Sequence, residues 1–245
     1  MYTIVAETDD FLLIDKMPGY AVHKDQEEAG LAMQIKADRG YSELMPVHRL
    51  DKVTSGLMLF AKNHSAASEL SKAFSEHQVE KYYLALSDKK PKKKQGTVTG
   101  DMIRARRGSW RLSQTQKNPA VTQFFSASAS PGKRLFLLKP LTGKTHQIRV
   151  ALKSIGAPVL GDPLYHEKEE NQPDRTYLHA YSLRFPFRGQ HYRYVALPQV
   201  GELFDQACSE LIEQQFAEPW ALAWPKIKRQ PKAVGTSGGP EKIDV

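Results

Sequence analysis

"PVHRLDKVTSGLMLF", residues 46–60, places charged and polar side chains directly before a continuous apolar run. The run GLMLFA, residues 56–61, has the length and composition of a buried β-strand. His48, Arg49 and Asp51 therefore lie where the interior of a sheet begins, and a charge in such surroundings is costly unless it is paired. This stretch predicts a central strand of a sheet with a charged group of residues at its start.

The composition of the chain indicates a folded domain with a sizeable core. Its 245 residues are 40% hydrophobic, which suffices for one large domain or for a domain with appendages. No apolar run approaches the ~20 residues of a membrane helix, and we find no charged-then-apolar leader, so we expect a cytoplasmic protein with no membrane partner. Cys208 is the only cysteine, which leaves no intrachain disulfide or thiolate metal cluster, and its apolar helical neighbours favour a core position.

The net charge of +8 is concentrated in two segments. Residues 89–117 hold ten Lys or Arg and one acid, and residues 226–245 hold five Lys or Arg and two acids. The rest of the chain carries a net charge of −4. Basic segments on a mildly acidic body are typical of proteins that bind nucleic acid. For the lysine run KKPKKKQG, residues 89–96, a solvated loop is the alternative interpretation.

Hydrophobic periodicity predicts both strands and helices along the chain. A hairpin is predicted over residues 3–16, and helical spacing occurs in residues 31–38, 65–79, 145–156 and 200–216. Further strands are predicted at residues 56–61, 81–87, 120–128, 134–141, 177–187 and 191–198. Because strands outnumber helices and often follow one another, the sequence predicts an α+β fold on a mixed, largely antiparallel β-sheet with flanking helices.

The domain organisation follows from the same patterns. We expect residues 1–217 to form one folded domain, in which residues 88–117 are an exposed basic excursion of short strands and loops. Residues 218–245 have few apolar residues to bury, so we expect a basic, disordered tail.

Three polar elements interrupt the otherwise regular pattern: HRLD (48–51), KYY (81–83) and THQIR (145–149). An ionised Asp51 beside apolar strands needs a cation, and Arg149 is a better candidate than Arg49 because the opposite face of its helix is apolar. Spacing alone favours a purely structural salt bridge, and Tyr83 taken alone indicates a core residue.

Other classes of site are disfavoured by the sequence. The eight histidines show no metal-binding spacing, and no glycine-rich nucleotide motif is present. A two-carboxylate glycosidase would need a second acid in a similarly apolar setting, and Asp162 in LGDPLY is interpreted as a turn residue. We therefore predict neither a metal nor a cofactor.

Six motifs of the chain together resemble the RluA family of RNA pseudouridine synthases. They occur in the family's order over roughly residues 3–200 and are HRLDKVTSG (48–56), KYYLA (81–85), PAVT (119–122), PLTGKTHQIRVAL (140–152), GAPVLGDPLY (156–165) and YLHAYSLRF (177–185). The resemblance implies the family's catalytic fold, with an active site in a central cleft, and an isomerase that converts uridine to pseudouridine in structured ribosomal or transfer RNA without a cofactor.

The resemblance also implies roles for individual residues. Asp51 would be the catalytic aspartate, Tyr83 the tyrosine against the flipped uracil, and Arg149 the partner of the aspartate. Whether Asp51 attacks C1′ of the ribose or removes the C2′ proton stays open. The residues expected to contact RNA are His48, Arg49, Thr54, Lys144, His146, Gln147 and Lys153. We expect a monomer with RNA as its partner.

Some positions depart from the family pattern. The chain has DKMPG (15–19) in place of the usual N-K-P-x-G, His166 where the family often has glycine, and Ala151 in place of histidine. Two other functions remain open at this point: a non-catalytic RNA-binding or ribosome-assembly protein on the same fold, and a hydrolase that releases free uracil.

Overall fold

A mixed β-sheet organises the chain in the computed structural model, which describes residues 1–22, 30–167 and 172–227. The ten strands of this sheet in the described residues are β1 (Tyr2–Glu7), β2 (Phe11–Lys16), β3 (Met45–Pro46), β4 (Ser55–Ala61), β5 (Glu80–Ser87), β6 (Gln95–Gly100), β9 (Ala120–Ser130), β10 (Lys133–Pro140), β11 (Leu178–Phe187) and β12 (Gln190–Val195). Two further strands, β7 (Met102–Arg104) and β8 (Trp110–Leu112), form a separate hairpin.

The strand order is β1-β2-β4-β11-β5-β10-β9-β6, with β3 beside β4 and β12 beside β11. Every pair is antiparallel except β4 with β11. Gly56 lies at this parallel contact with a φ of +109°, and a Cβ there would be 2.3 Å from the carbonyl oxygen of Ala180. Only glycine allows β4 and β11 to approach so closely. The predicted α+β fold with a mixed, largely antiparallel sheet is confirmed.

Helices cover both faces of the sheet. On one face, α1 (Leu31–Arg39) and α3 (Gln147–Ser154) share a core cluster with apolar residues of β2, β4 and β5. On the other face, α2 (His64–Ser75) packs over β2 and β4, and α4 (Gln206–Leu211) with the π-helical turn Ile212–Phe216 packs over β5 and β10. The sheet is therefore buried on both sides around its centre.

Helix ends differ from the sequence predictions where side chains cap them. The helix predicted over 65–79 begins at His64, because the Asn63 side chain accepts the N–H of Ala66 at 2.9 Å. It ends at Ser75, and His77 adopts a φ of +58°. The helix predicted over 200–216 begins only at Gln206, after Asp205 caps it by accepting the Cys208 N–H.

The disordered tail predicted from residue 218 is wrong for its first part. A 3₁₀ turn spans Pro219–Ala221, and Trp220, Leu222 and Trp224 pack against the core beneath α4. The Trp224 ring lies 4.8 Å from that of Phe125, measured between centroids. The prediction counted few apolar residues, but tryptophan buries more apolar area than other side chains. Residues 228–245 lie outside the described residues.

The basic excursion at residues 88–117 divides into two parts. The lysine run leads from β5 into β6, which is the outermost strand beside β9. The β7–β8 hairpin carries four exposed arginines, Arg104, Arg106, Arg107 and Arg111. No helix among the described residues is long and apolar enough to cross a membrane.

Candidate active site

A cleft of about 480 Å³ opens at the start of β4 and β5. Its walls come from the segment before β4 (47–51), the last turn of α2 and the residues after it (71–77), the start of β5, and the loop that leads from β10 into α3 (140–147). These elements bring the three polar stretches HRLD, KYY and THQIR into one cavity.

Asp51 and Arg149 form an ion pair inside this cleft. Arg149 Nη1 donates to Asp51 Oδ2 at 3.1 Å. The Asp51 side chain is 20% exposed and the Arg149 side chain only 3%, so a ligand can reach the carboxylate while the guanidinium stays behind it. The pairing that the sequence favoured for Arg149 is present in the structure, and Arg49 is not involved in it.

Asp162 is the second carboxylate on Arg149, and the interpretation of Asp162 as only a turn residue is wrong. Arg149 Nε donates to Asp162 Oδ2 at 2.7 Å and Nη2 donates to Oδ1 at 2.8 Å, the fork geometry typical of arginine and carboxylate. The Asp162 side chain is fully buried and also accepts the N–H of Leu164. Although burial disfavours the charged guanidinium, Asp162 and Asp51 together raise the pKa of Arg149.

Lys16 fixes the loop that presents Asp51. This fully buried amine donates to the carbonyl oxygens of Met17, Tyr20 and Lys52 at 3.0, 3.0 and 3.3 Å. Three acceptors match the three hydrogens of an ammonium group. Burial lowers the pKa of Lys16 to about 7, while the nearby charge of Asp51 acts in the opposite direction. Lys52 directly follows Asp51, so Lys16 holds the backbone beside the carboxylate.

Lys81 and Tyr83 point into the cleft from the same face of β5, as alternate residues of a strand do. Tyr83 is 9% exposed, and its burial, with the charge of Asp51, raises the pKa of the phenol. The Lys81 amine lies 6.0 Å from the centre of the Phe74 ring, and burial lowers its pKa. No described residue offers Lys81 a carboxylate, so the cleft contains an amine available to an anion.

Several residues that we expect to contact RNA also have partners within the protein. The His48 Nε2 accepts the N–H of Leu59 at 3.0 Å, and its ring stacks on Phe74. Burial lowers the pKa of His48 to about 3, so this imidazole is neutral. Thr54 is 2% exposed and also lines the cleft. Both residues line the cleft next to β4, and their contact with RNA stays a prediction.

Gln147 likewise stabilises the cleft wall. Its amide oxygen accepts from the Thr142 hydroxyl and the Lys144 N–H, and its amide nitrogen donates to the Val121 carbonyl and the Thr122 hydroxyl. These four bonds satisfy the whole side chain, which is 5% exposed, and a contact of Gln147 with RNA stays a prediction.

The remaining predicted contacts lie at or near the rim of the cleft. Arg49 is exposed on the cleft wall, and no described residue forms an ion pair with it. Lys144 also lines the cleft and donates to the Asn118 carbonyl. His146 lies deeper, with Nε2 at 4.0 Å from Asp51 Oδ2. Lys153 is exposed on α3 outside the cleft lining.

The sequence analysis missed Lys16, Lys81 and Asp162. Lys81 could have been found from strand alternation, because it is two residues from Tyr83. Asp162 could not be separated from an ordinary turn residue by local pattern, because its partner is 13 residues earlier in the chain. Lys16 lies in DKMPG, where no local pattern distinguishes a buried lysine from an exposed one.

Comparisons with known proteins agree with this geometry. The model of the RNA pseudouridylate synthase family matches residues 10–154, which include Asp51, Tyr83 and Arg149. An "Uncharacterized RNA pseudouridine synthase" of Haemophilus influenzae is 51% identical over 201 residues, covering 82% of this chain and 89% of that protein. The "tRNA pseudouridine synthase C" of Haemophilus ducreyi is 30% identical over 238 residues, covering 86% and 94%.

A solved structure shares the fold. "Human RNA Pseudouridylate Synthase Domain Containing 1" superposes with a TM-score of 0.71 at 27% identity, covering 87% of this chain and 94% of the human one.

Proposed function

Because the chain belongs to the RNA pseudouridylate synthase family, we propose that its cleft carries out the uridine-to-pseudouridine isomerisation with Asp51 as the catalytic carboxylate. The chain is an RNA pseudouridine synthase, an isomerase that cleaves the bond from C1′ to N1 of uridine and reconnects the base through C5. The residue roles and the identity of the RNA are the parts that we propose.

The ion pair between Asp51 and Arg149 is the observation that carries the assignment of roles. An accessible carboxylate beside a buried guanidinium that is also held by Asp162 keeps its direction. An ionised Asp51 can attack C1′ as a nucleophile or remove the C2′ proton as a base, and both routes use the same oxygen atoms. Arg149 holds the carboxylate in position until the ribose arrives.

The reaction requires that the target uridine leave its stack, which costs a few kcal/mol. Tyr83 provides an aromatic wall for the flipped uracil beside Asp51. Arg49 at the rim is free to enter the space that the base has left, and Lys144 lies on the opposite wall. Lys81, at the same face as Tyr83, is placed to bind a phosphate or a uracil oxygen.

The target proposed here is a uridine in ribosomal or transfer RNA. The similarity to a protein named for transfer RNA supports this class of substrate. The cytoplasmic location, the monomeric state and the absence of a metal stay predictions from the sequence, as does the span of the catalytic domain up to the residues near 217.

Mapping pseudouridines in total RNA from cells with and without the gene tests the proposal. We expect one or a few sites to lose pseudouridine when the gene is absent, and purified protein to restore them in that RNA. Free uracil with abasic sites would instead indicate a hydrolase, and unchanged RNA that still binds the protein would indicate a non-catalytic binding protein.

A further inference from the structure

Tyr165 lies between the side chains that face Asp51. Its hydroxyl oxygen is 2.9 Å from His146 Nδ1, and its ring centre is 5.1 Å from the guanidinium carbon of Arg149. Its backbone N–H donates to Asp162 Oδ1 at 3.3 Å. Tyr165 is 6% exposed, so it touches the surroundings of Asp51 without reaching the cleft surface itself.

The hydrogen bonds of Tyr165 determine which nitrogen of His146 carries a hydrogen. The Trp110 N–H donates to the Tyr165 hydroxyl oxygen at 2.8 Å. A phenol has a single hydrogen to donate, and within the described residues the acceptor in reach is His146 Nδ1. Because Nδ1 accepts, the hydrogen of the neutral imidazole is on Nε2, the nitrogen that faces Asp51.

His146 has an unusual backbone conformation and a neutral side chain. It precedes α3 with a φ of +57°, a left-handed conformation that costs energy in any residue other than glycine. Burial and the charge of Arg149 lower the pKa of His146, which keeps the imidazole neutral. A neutral N–H can therefore support the carboxylate without adding a second positive charge beside Arg149.

The distance from Nε2 to Asp51 Oδ2 is 4.0 Å, which is longer than a hydrogen bond. A rotation of the Asp51 carboxyl group on binding RNA would close this gap, and catalytic hydrogen bonds commonly tighten in this way when substrate binds.

We infer that Tyr165 is a positioning residue for pseudouridine formation, which holds His146 as the Nε2–H tautomer so that Asp51 gains a second donor. This inference rests on the proposed role of Asp51. It also assigns a role to the β7–β8 hairpin, because the Trp110 N–H that orients the hydroxyl belongs to β8. The hairpin that carries four exposed arginines is thus joined by hydrogen bonds to the group beside the catalytic carboxylate.

Tyr165→Phe tests the inference because it removes the hydroxyl and keeps the ring against Arg149. The tautomer of His146 is read from two-bond ¹H–¹⁵N spectra, with His146→Asn used to assign its signals. Tyr177→Phe is the matched control, since the Tyr177 hydroxyl also accepts a backbone N–H, from Leu203, and contacts the Asp174 carboxylate away from the cleft. Turnover is measured as pseudouridine formed in RNA from cells lacking the gene.

In Tyr165→Phe we expect His146 to show a mixture of tautomers and kcat to fall about three- to tenfold with little change in KM, the size of one lost hydrogen bond. Tyr177→Phe should leave both readouts unchanged. A wild-type His146 spectrum in Tyr165→Phe would overturn the inference, as would a changed tautomer with unchanged kcat. If the wild-type protein formed no pseudouridine, the proposed function would fail, while the spectra would still decide whether Tyr165 sets the tautomer.

Discussion

Arg149 forms ion pairs with two carboxylates, one fully buried and one accessible from the cleft. Asp162 holds one edge of the guanidinium from a fully buried position, and Asp51 meets the remaining nitrogen from the cleft. A buried guanidinium with a single partner would adjust its direction to that partner. With Asp162 fixed, Asp51 has to align with Arg149, which sets the direction of its free oxygen.

Asp51→Asn should lower pseudouridine formation by at least about 10³-fold, because the amide keeps the shape of the side chain and loses the charge that acts on the ribose. RNA affinity should stay within a few-fold. The measurement is pseudouridine content by mass spectrometry together with a binding titration, and Asp38→Asn, on the exposed side of α1, is the control. Substantial turnover by folded Asp51→Asn would contradict the role of Asp51.

Arg149→Lys should also impair turnover severely, although the charge is retained. A single ammonium cannot reproduce three directed bonds to two carboxylates. We expect the free energy of unfolding to fall by about 1–3 kcal/mol, since Asp162 would lose part of its buried pairing.

Arg184→Lys is the comparison for this prediction, because Arg184 pairs with Glu80 at 2.7 Å in a partly exposed setting and should contribute under about 1 kcal/mol. Equal losses of stability in the two variants would show that the buried pair of Arg149 and Asp162 contributes no more than the partly exposed pair of Arg184 and Glu80.

At the scale of elements, the two basic clusters of the excursion lie at different distances from the cleft. The lysine run follows the end of β5, and six residues separate that end from Lys81 at the cleft, a span of roughly 20 Å along the strand. The β7–β8 hairpin, in contrast, is bonded to Tyr165, whose ring lies against Arg149. RNA held in the cleft should therefore meet the hairpin before it meets the lysines.

Replacing Arg104, Arg106, Arg107 and Arg111 with Gln should weaken RNA binding about equally for good and poor target sequences, because phosphate contacts carry little sequence information. Each lost contact should flatten the dependence of log affinity on log salt by roughly 0.7, so three lost contacts reduce the slope by about 2.

The matched comparison replaces Lys89, Lys90, Lys92, Lys93 and Lys94 with Gln and removes one more charge. We expect a smaller change in slope for this variant, measured by binding titrations at several salt concentrations. A larger change than that of the arginine variant would mean that the RNA runs along the far end of β5.

At the scale of the whole molecule, two buried neutral histidines make stability depend on pH. Burial lowers the pKa of His48 to about 3 and that of His179 to about 4. The two ring nitrogens of His179 lie 2.7 Å from the Ser55 hydroxyl oxygen and 2.9 Å from the Ala196 carbonyl oxygen, inside the protein where burial disfavours the charged ring. Both histidines take up protons near pH 6.5 when the chain unfolds.

Since the unfolded chain binds more protons, the stability that the neutral rings contribute is complete above pH 6.5 and is lost as the pH falls toward 4 and 3. We expect the free energy of unfolding to decrease by up to about 1.4 kcal/mol per pH unit for each histidine. Urea unfolding from pH 7 to 4.5 measures this slope. His48→Gln should make it shallower, and His191→Gln, at an exposed position, should not; equal slopes in all three proteins would contradict the assignment.

Features that depend on local hydrophobic periodicity, such as the buried faces of helices, were predictable from the sequence. Leu70 and Ala73 mark the buried face of α2, and the apolar face opposite Arg149 correctly indicated that this arginine points toward the polar centre. Contacts between distant residues could not be read in the same way. Asp162 satisfied a local turn pattern, while its main partner is on α3, and Gln147 carried a family motif whose four hydrogen bonds are all internal.

Topology was outside the reach of pattern analysis for the same reason. Nothing in residues 178–187 indicates that this strand lies between β4 and β5, because strand order is set by packing on both faces of the sheet. The two tryptophans after residue 218 were likewise assigned to a tail, although each finds a large apolar surface on the folded domain.

The position of β11 has a consequence for the folding of the protein during its synthesis on the ribosome. Asp51 precedes β4 and Tyr83 lies on β5, and in the sheet of the described residues β11 lies between these two strands and pairs with both, although it is among the last elements to be synthesised. A nascent chain that ends before residue 178 has both residues but no strand to unite them. We therefore expect the cleft to form late in translation, when the last part of the polypeptide emerges and β11 pairs with both strands.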